Sequence, residues 1–453
     1  MNMKKISFLI MGLAICMHQP VWAEQTPLSL KTVLQRTQAN HPSLQLYKEK
    51  AAVIEANRLQ AGLSPNPELS FSLENVFGSN EAKGVSGIEG TLLISQLFER
   101  GDKKQRRIAM QDSKLAQFQT EYQLSQLDVF ADATAQYYRV MRLQSLLALR
   151  QTQRNTVSDA LNTIKQRAAA GAVSNADVAR MQFEYGTLQL EQQQLESEFT
   201  AAKLRLAKFW LGETDFNTVQ KLLPTYSDAK GYANSNLKTE LILPNLAELH
   251  NAIDMAPEIQ LISQQVLAEQ ATMQLASANS IADLTLGTGV RFDNASNSAS
   301  LLFEAAMPLQ LSNPQQGNIK AARAQIDLLS EQQQLIRQSL KQQISQTYNQ
   351  AQNQQRRLLQ LQSQLLPLAK TLISQSLDSY RLGQISVLQL LDAQKERFNT
   401  EQAIIDTQIA LLNSHLLLQR LIGNTSLSAL NNAHSRSTLS KHSAPSSPWS
   451  NTL

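Results

Sequence analysis

Cysteine is almost absent from this chain of 453 residues: Cys16 stands alone. No disulfide framework and no thiolate metal cage can be built from one thiol. Histidine is sparse too. Beyond the first 23 residues, His41, His250, His415, His434 and His442 are widely scattered, and no pair has ligand spacing on one helix face. No nucleophile, base or paired carboxylates converge in the sequence, so an enzyme is not indicated, and no cofactor or metal is expected. Charge is low at 17% of residues, with a formal net charge of +4 to which Lys4 and Lys5 contribute. That balance carries no electrostatic footprint for nucleic acid. No apolar run beyond the first residues approaches transmembrane-helix length, so any membrane crossing must be made by strands. Proline and glycine are missing from 102–170, and between 318 and 382 Pro367 is the only breaker.

Met1 to Ala23 reads as a secretory leader. Lys4 and Lys5 form its charged start, Ile6 to Ile15 its apolar stretch, and Val21-Trp22-Ala23 a small-residue cleavage site. A lipidated Cys16 would need a small residue before it, and Ile15 is not small.

What is present is a duplication. Gly171-Ala172-Val173-Ser174 and Gly383-Gln384-Ile385-Ser386 stand at matching places, with Gln182 and Gln394 at the same distance beyond. The offset is about 212 residues, which marks an internal repeat. Each copy holds a proline-bounded helix (after His41-Pro42 and Ala256-Pro257), two alternating strands, a long polar helix, a Gly turn and a returning helix.

Leu69, Phe71 and Leu73 alternate with polar residues, as do Leu284, Leu286, Val290 and Phe292, and an alternation from Ala299 runs on to Leu311. About ten residues, apolar on one side and polar or Gly on the other, is the dyad pattern of a membrane-barrel strand. A half-buried soluble sheet has the same period. The uninterrupted helices discriminate better. Each would be roughly 95–105 Å long, beyond the use of a compact domain. Leu358, Leu361, Leu365, Leu368 and Leu372 have the 3-4 spacing of a coiled-coil seam, and Pro367 should bend its helix. Ser174 with Asp177, and Ser386 with Gln389, fit capping boxes that open the returning helices.

The expected divisions are a leader over 1–23, a first helix over 24–64, a β-hairpin over 65–100 and a helical hairpin over 101–211. A connector over 212–245 leads to a second helix over 246–280, a β-hairpin over 281–312, a helical hairpin over 313–423 and a disordered tail over 424–453. The fold class is mainly α with transmembrane β, internally duplicated.

These features resemble the TolC-type outer-membrane efflux family over about residues 28–423. Tyr380-Arg381-Leu382-Gly383 followed by Leu390-Leu391-Asp392-Ala393-Gln394 resembles the family's second tip motif, and Arg167 to Asp177 its first. Ser64-Pro65-Asn66-Pro67-Glu68-Leu69, Glu74-Asn75 and Ser95-Gln96-Leu97-Phe98-Glu99-Arg100-Gly101 are similar to its cation-efflux, cobalt–zinc–cadmium branch. The resemblance implies a homotrimer in outer-membrane lipid. Each chain would give four strands to a shared twelve-stranded barrel and helices to a periplasmic tunnel. A periplasmic adaptor and an inner-membrane pump of the resistance-nodulation-division type would be its partners. The cargo would be heavy-metal cations; drugs or a secreted protein are alternatives, and a periplasmic coiled-coil adaptor is a competing class.

The resemblance also places a gate at the tips. Asp177 and Tyr380 match an inter-helix tie, Asp392 matches an acidic ring position, Gln389 occupies the other ring position, and Ile385 replaces a basic residue of the tie. Gly171, Val173, Ser174, Gly383, Ile385 and Ser386 are the expected adaptor contacts. Plainer roles stand beside these: capping for Asp177, the helix dipole for Asp392, and inter-helix packing for Tyr380.

Overall fold

The computed structural model describes residues 28–76, 85–210 and 243–423. The expected leader with Cys16, residues 77–84 of the first hairpin loop, almost all of the connector, and the tail with His434 and His442 lie outside the described residues.

Ser29 opens the first helix, α1 (Leu30–Asn40), by accepting the Thr32 N–H at 3.2 Å. Sequence reading treats 24–64 as one helix, but the chain breaks at His41 and restarts as α2 (Pro42–Ala61). The Pro42 ring drives His41 to extended backbone (ψ 126°), while the proline itself suits the first helical position. The second repeat breaks in the same way. α5 (Leu246–Asn251) and a 3-10 turn (Ala252–Met255) precede α6 (Pro257–Asn279), with Ala256 extended before Pro257.

Four strands form one antiparallel sheet in the order β1 (Glu68–Glu74), β2 (Glu89–Phe98), β3 (Leu284–Asp293), β4 (Ser298–Ala306). The β2–β3 pairing joins the repeats. Register aligns Phe71, Leu92, Val290 and Leu301 in one row across all four strands. The neighbouring row is Ser72, Thr91, Arg291 and Ser300. Successive side chains point to opposite faces, so one face is apolar and the other polar. The apolar face is uncovered: Phe71 is 66% exposed and Leu301 74%. β4 stops at Ala306, short of the alternation that runs to Leu311. Its partner β3 begins at Leu284, and Pro308 has no N–H for a ladder.

α3 (Lys103–Ala169) is a single helix of 67 residues, about 100 Å long. Its entry needs Gly101, whose φ is +72°; a Cβ there would lie 2.6 Å from Ile281 Cδ1. Asp102 follows with φ +57°, and Gln315 at the head of the matching helix α7 (Gln316–Gln360) has φ +62°. A π turn (Leu361–Leu365) then joins α7 to α8 (Leu366–Arg381). There the Leu366 N–H donates five residues back, to the Leu361 carbonyl. Pro367 has no N–H for the carbonyl four residues behind it, so the ladder is already interrupted and a one-residue bulge fits beside it.

The bulge corrects the expected leucine seam. Leu361 packs inward at 7% exposure, whereas Leu365, Leu368 and Leu372 turn outward, Leu368 to 64%. Ala369 and Ile373 take over the inward face.

The returning helices are α4 (Asn175–Ala207) and α9 (Val387–Leu421). Near the sheet, neighbours run α2–α3–α6–α7; towards the tips they run α4–α3–α9–α8. Two apolar belts fix the middle. Val33, Leu34, Tyr137, Met141, Leu206 and Ile409 form one, and Leu249, Ile253, Ile344, Leu411 and Leu418 the other. Arg420 binds across helices to Asp128 at 2.6 Å and to Glu258. Burial lowers the affinity of its guanidinium for the proton, but the two carboxylates outweigh that and hold it above its ordinary value.

Candidate functional site at the helical tips

Both long helices end in the same way. Gly171 and Gly383 share a left-handed φ of +74°. The Ala172 N–H donates to Arg167 O at 2.9 Å and Gly171 N–H to Ala168 O at 2.9 Å. In the second repeat Gln384 N–H reaches Ser379 O at 2.8 Å and Gly383 N–H reaches Tyr380 O at 3.0 Å. These are paired Schellman turns, which glycine adopts without a Cβ penalty.

The next helices begin at Ser174 and Ser386. Around Ser386 the capping box is complete: its N–H donates to Gln389 Oε1 at 2.9 Å, and Gln389 N–H donates to its Oγ at 3.3 Å. The expected box at Ser174 is only half formed. Ser174 Oγ accepts the Asp177 N–H at 3.2 Å and donates to the Asp177 carboxylate at 2.9 Å, and no bond from the Ser174 N–H closes the ring. The shorter carboxylate side chain is met by the hydroxyl before it reaches the backbone.

Val173 and Ile385 stand one residue before these caps. Each packs into an apolar cluster with Leu161, Ile164, Met181, Ile373, Val387 and Leu390. Val173 with Val178, and Ile385 with Leu390, occupy the two positions of a hydrophobic staple. Ile385 therefore serves the fold of its own hairpin. Gly171, Ser174, Gly383 and Ser386 remain exposed at the end of the molecule, as do Gln389 and Asp392.

Asp177 and Tyr380 are not hydrogen-bonded to one another. Tyr380 is 8% exposed and its hydroxyl has no partner among the described residues. The bond between the hairpins is made instead by Arg167. Its guanidinium lies 5.1 Å from the Tyr380 ring centroid and donates to the carbonyls of Tyr380 at 3.5 Å and Arg381 at 3.3 Å. A cation here faces the last carbonyls of α8 from the last turn of α3, where both helix dipoles favour it. Sequence reading missed this role. The signal is a difference between the repeats: Arg167 aligns with Ser379, and Tyr380 with Ala168.

Among the described residues no group of three His, Cys, Asp or Glu side chains could hold a metal ion, and no helix is long and apolar enough to cross a membrane. An unclosed sheet with an apolar outer face, set on helices of about 100 Å, is the architecture of an outer-membrane channel subunit and not of an enzyme.

Comparison with known proteins agrees. Residues 249–424, the second repeat, match the model of the outer membrane efflux protein family. The first repeat is reached through a relative that matches over nearly the whole length. The chain is 21% identical over 397 residues to the cobalt-zinc-cadmium resistance protein CzcC of Cupriavidus metallidurans, covering 88% of this chain and 90% of that one. It is 23% identical over 307 residues to the solvent efflux pump outer membrane protein SrpC of Pseudomonas putida, covering 66% and 63%. The Campylobacter jejuni CmeC outer membrane channel superposes with a TM-score of 0.69 at 14% identity, over 93% of each chain.

Proposed function

We propose that three copies of this chain form a passive outer-membrane exit duct for heavy-metal cations. Support for the ring comes from the sheet. Four strands cannot close a barrel, and the free edges of β1 and β4 would leave backbone groups unpaired in lipid. Three copies give twelve strands and no edge. The apolar row of Phe71, Leu92, Val290 and Leu301 faces lipid, and the row containing Arg291 faces the lumen.

The tips are the resting closure. Arg167 and Tyr380 lock the hairpins of one copy to each other. Asp177 stiffens its turn through Ser174, and Asp392 and Gln389 stand at the mouth, where three copies of Asp392 form an acidic ring. The exposed turns at Gly171 to Ser174 and Gly383 to Ser386 receive the hairpin tips of a periplasmic adaptor. A proton-driven inner-membrane pump of the resistance-nodulation-division type does the energetic work.

The single observation carrying the cargo is the near full-length likeness to CzcC. The likeness to SrpC favours a second reading, an apolar solvent or drug as cargo. Growth of a deletion strain across graded zinc, cobalt, cadmium, nickel, copper and silver, beside solvents and dyes, separates them. Metal sensitivity restored by the gene supports the first reading; sensitivity to solvents and dyes alone overturns it.

A further inference from the structure

The apolar face of the sheet ends on a single charge. β2 carries Leu92, Ile94, Gln96 and Phe98 on that face, and Arg100 continues the alternation two residues further on. Its guanidinium donates to Met307 Sδ at 3.4 Å. Met307 in turn continues the face from Leu301, Phe303 and Ala305. The contact reaches past the foot of β3 and holds Arg100 on the apolar side. No residue that the four strands place on this face is charged.

The fold leaves this cation unneutralised. The acids nearest in the chain and across the strand pair serve other cations. Glu99 binds Arg107 through both oxygens, and Asp283 takes Lys103 at 2.7 Å and the Arg100 backbone N–H at 3.0 Å. Among the described residues Arg100 pairs with no carboxylate, and it is exposed. A guanidinium has five N–H donors and a thioether is a weak acceptor, so most of this donor capacity is open. The apolar side chains beside it are open too: Phe98 is 50% exposed and Met307 47%.

Depth defines what Arg100 meets. β2 has ten residues, about 33 Å along the strand. At the usual barrel tilt that is about 25 Å of height, the height of an outward apolar band. Arg100 lies about 7 Å along the strand beyond Phe98, at the level of headgroups. α3 begins three residues later, at Lys103, so this is the periplasmic end. β2 and β3 are inner strands of the sheet, so their feet lie away from the edges where copies would meet.

We propose that Arg100 binds the phosphate of a phospholipid in the periplasmic leaflet, with the acyl chains lying on Phe98 and Met307. The guanidinium fork matches two phosphate oxygens, and a phosphate supplies the anion that the fold withholds. Three such sites would fix the height of the barrel against one leaflet. This inference rests on the reading of the apolar face as lipid-facing, given above.

The test uses the full chain in mild detergent, titrated with phosphatidylglycerol or with diacylglycerol of the same chains and read by native mass spectrometry. The parent should take up to three phosphatidylglycerol molecules per trimer, about tenfold more tightly than diacylglycerol. Arg100→Gln should abolish that preference and Arg100→Lys keep part of it. Arg106→Gln, whose arginine already donates to Gln274 at 2.7 Å, should keep it whole. Equal uptake of the two lipids by parent trimers overturns the arginine site, whatever becomes of the variants. A loss of the same size in Arg106→Gln overturns it in favour of a diffuse basic collar. Release of bound phosphatidylglycerol by inorganic phosphate overturns the lipid in favour of a free anion. Monomers that take up neither lipid overturn the lipid-facing reading, and the site with it.

Discussion

Arg167 lies over the ring of Tyr380, 5.1 Å from its centroid, and so fastens the end of the first long helix to the end of the second. The two hairpins meet here through one cation, one aromatic face and two backbone carbonyls. A tie of this kind contributes about 1–2 kcal/mol. Arg167→Ala should therefore raise the open fraction of single channels about five- to thirty-fold at rest, with Arg167→Lys intermediate. Conductance traces indistinguishable from the parent would remove the tie from the gate.

The Tyr380 hydroxyl is a different matter. It is buried without a partner among the described residues, a condition that costs about 1–3 kcal/mol. Tyr380→Phe should leave closure intact and melt at the same temperature or slightly higher. A leaky Tyr380→Phe channel would mean that the hydroxyl is bonded, to Asp177 or to another copy.

Asp392 is exposed on the second turn of α9, the position proposed to form the acidic ring. Three carboxylates around one axis attract cations. Asp392→Asn should lower the cation-to-anion permeability ratio measured from reversal potentials in a salt gradient. An unchanged ratio would place the ring elsewhere.

Arg420 pairs with both Asp128 and Glu258 where α3, α6 and α9 meet. Removing it as Arg420→Met leaves two carboxylates partly enclosed and unpaired. The cost is about 1–3 kcal/mol, held below that of a fully buried pair because Asp128 is half exposed. Thermal unfolding in detergent measures it, and an unshifted midpoint would show the network to be idle.

His415 lies on α9, and burial pushes its imidazole below the ordinary value of 6.5. The folded state thus binds the proton less readily than the unfolded state. Stability is fully present above about pH 6.5 and is lost as the pH falls through the lowered folded value. His415→Gln should flatten the decline of the melting temperature below pH 6.5. A decline of the same steepness in the variant would assign the acid sensitivity to other groups.

Much of this fold is written in local pattern. The absence of Pro and Gly over 102–170 specifies α3, and the matched Gly171 and Gly383 specify both turns, because chain stiffness and backbone handedness are properties of single residues. Alternation in Leu69, Phe71 and Leu73 marks β1 for the same reason. What escaped is what depends on register between distant segments. Five leucines at even spacing describe one seam, yet a π turn beside Pro367 splits them between two faces. Arg167 looks like an ordinary basic residue of a last helical turn until the second repeat is set beside it. Ile385 looks like a lost charge until the turn geometry makes it a staple. The strand pattern beyond Ala306 continues in the side chains, but no backbone is there to receive it.

The pairing of β2 with β3 also has a consequence in time. Phe98 pairs with Leu284 and Glu89 with Asp293, partners separated in sequence by the whole first helical hairpin, the connector and α6. A chain delivered from its N-terminus presents the first hairpin, with its apolar face, long before the strand that must lie beside it has emerged. Loop-closure entropy delays the pairing further. During that interval the first hairpin is an open edge in water, a surface that aggregates unless it is shielded. The order of the repeats thus makes a β2 with one waiting edge an obligatory stage in the birth of the channel, and any factor that assists its assembly has that edge to guard.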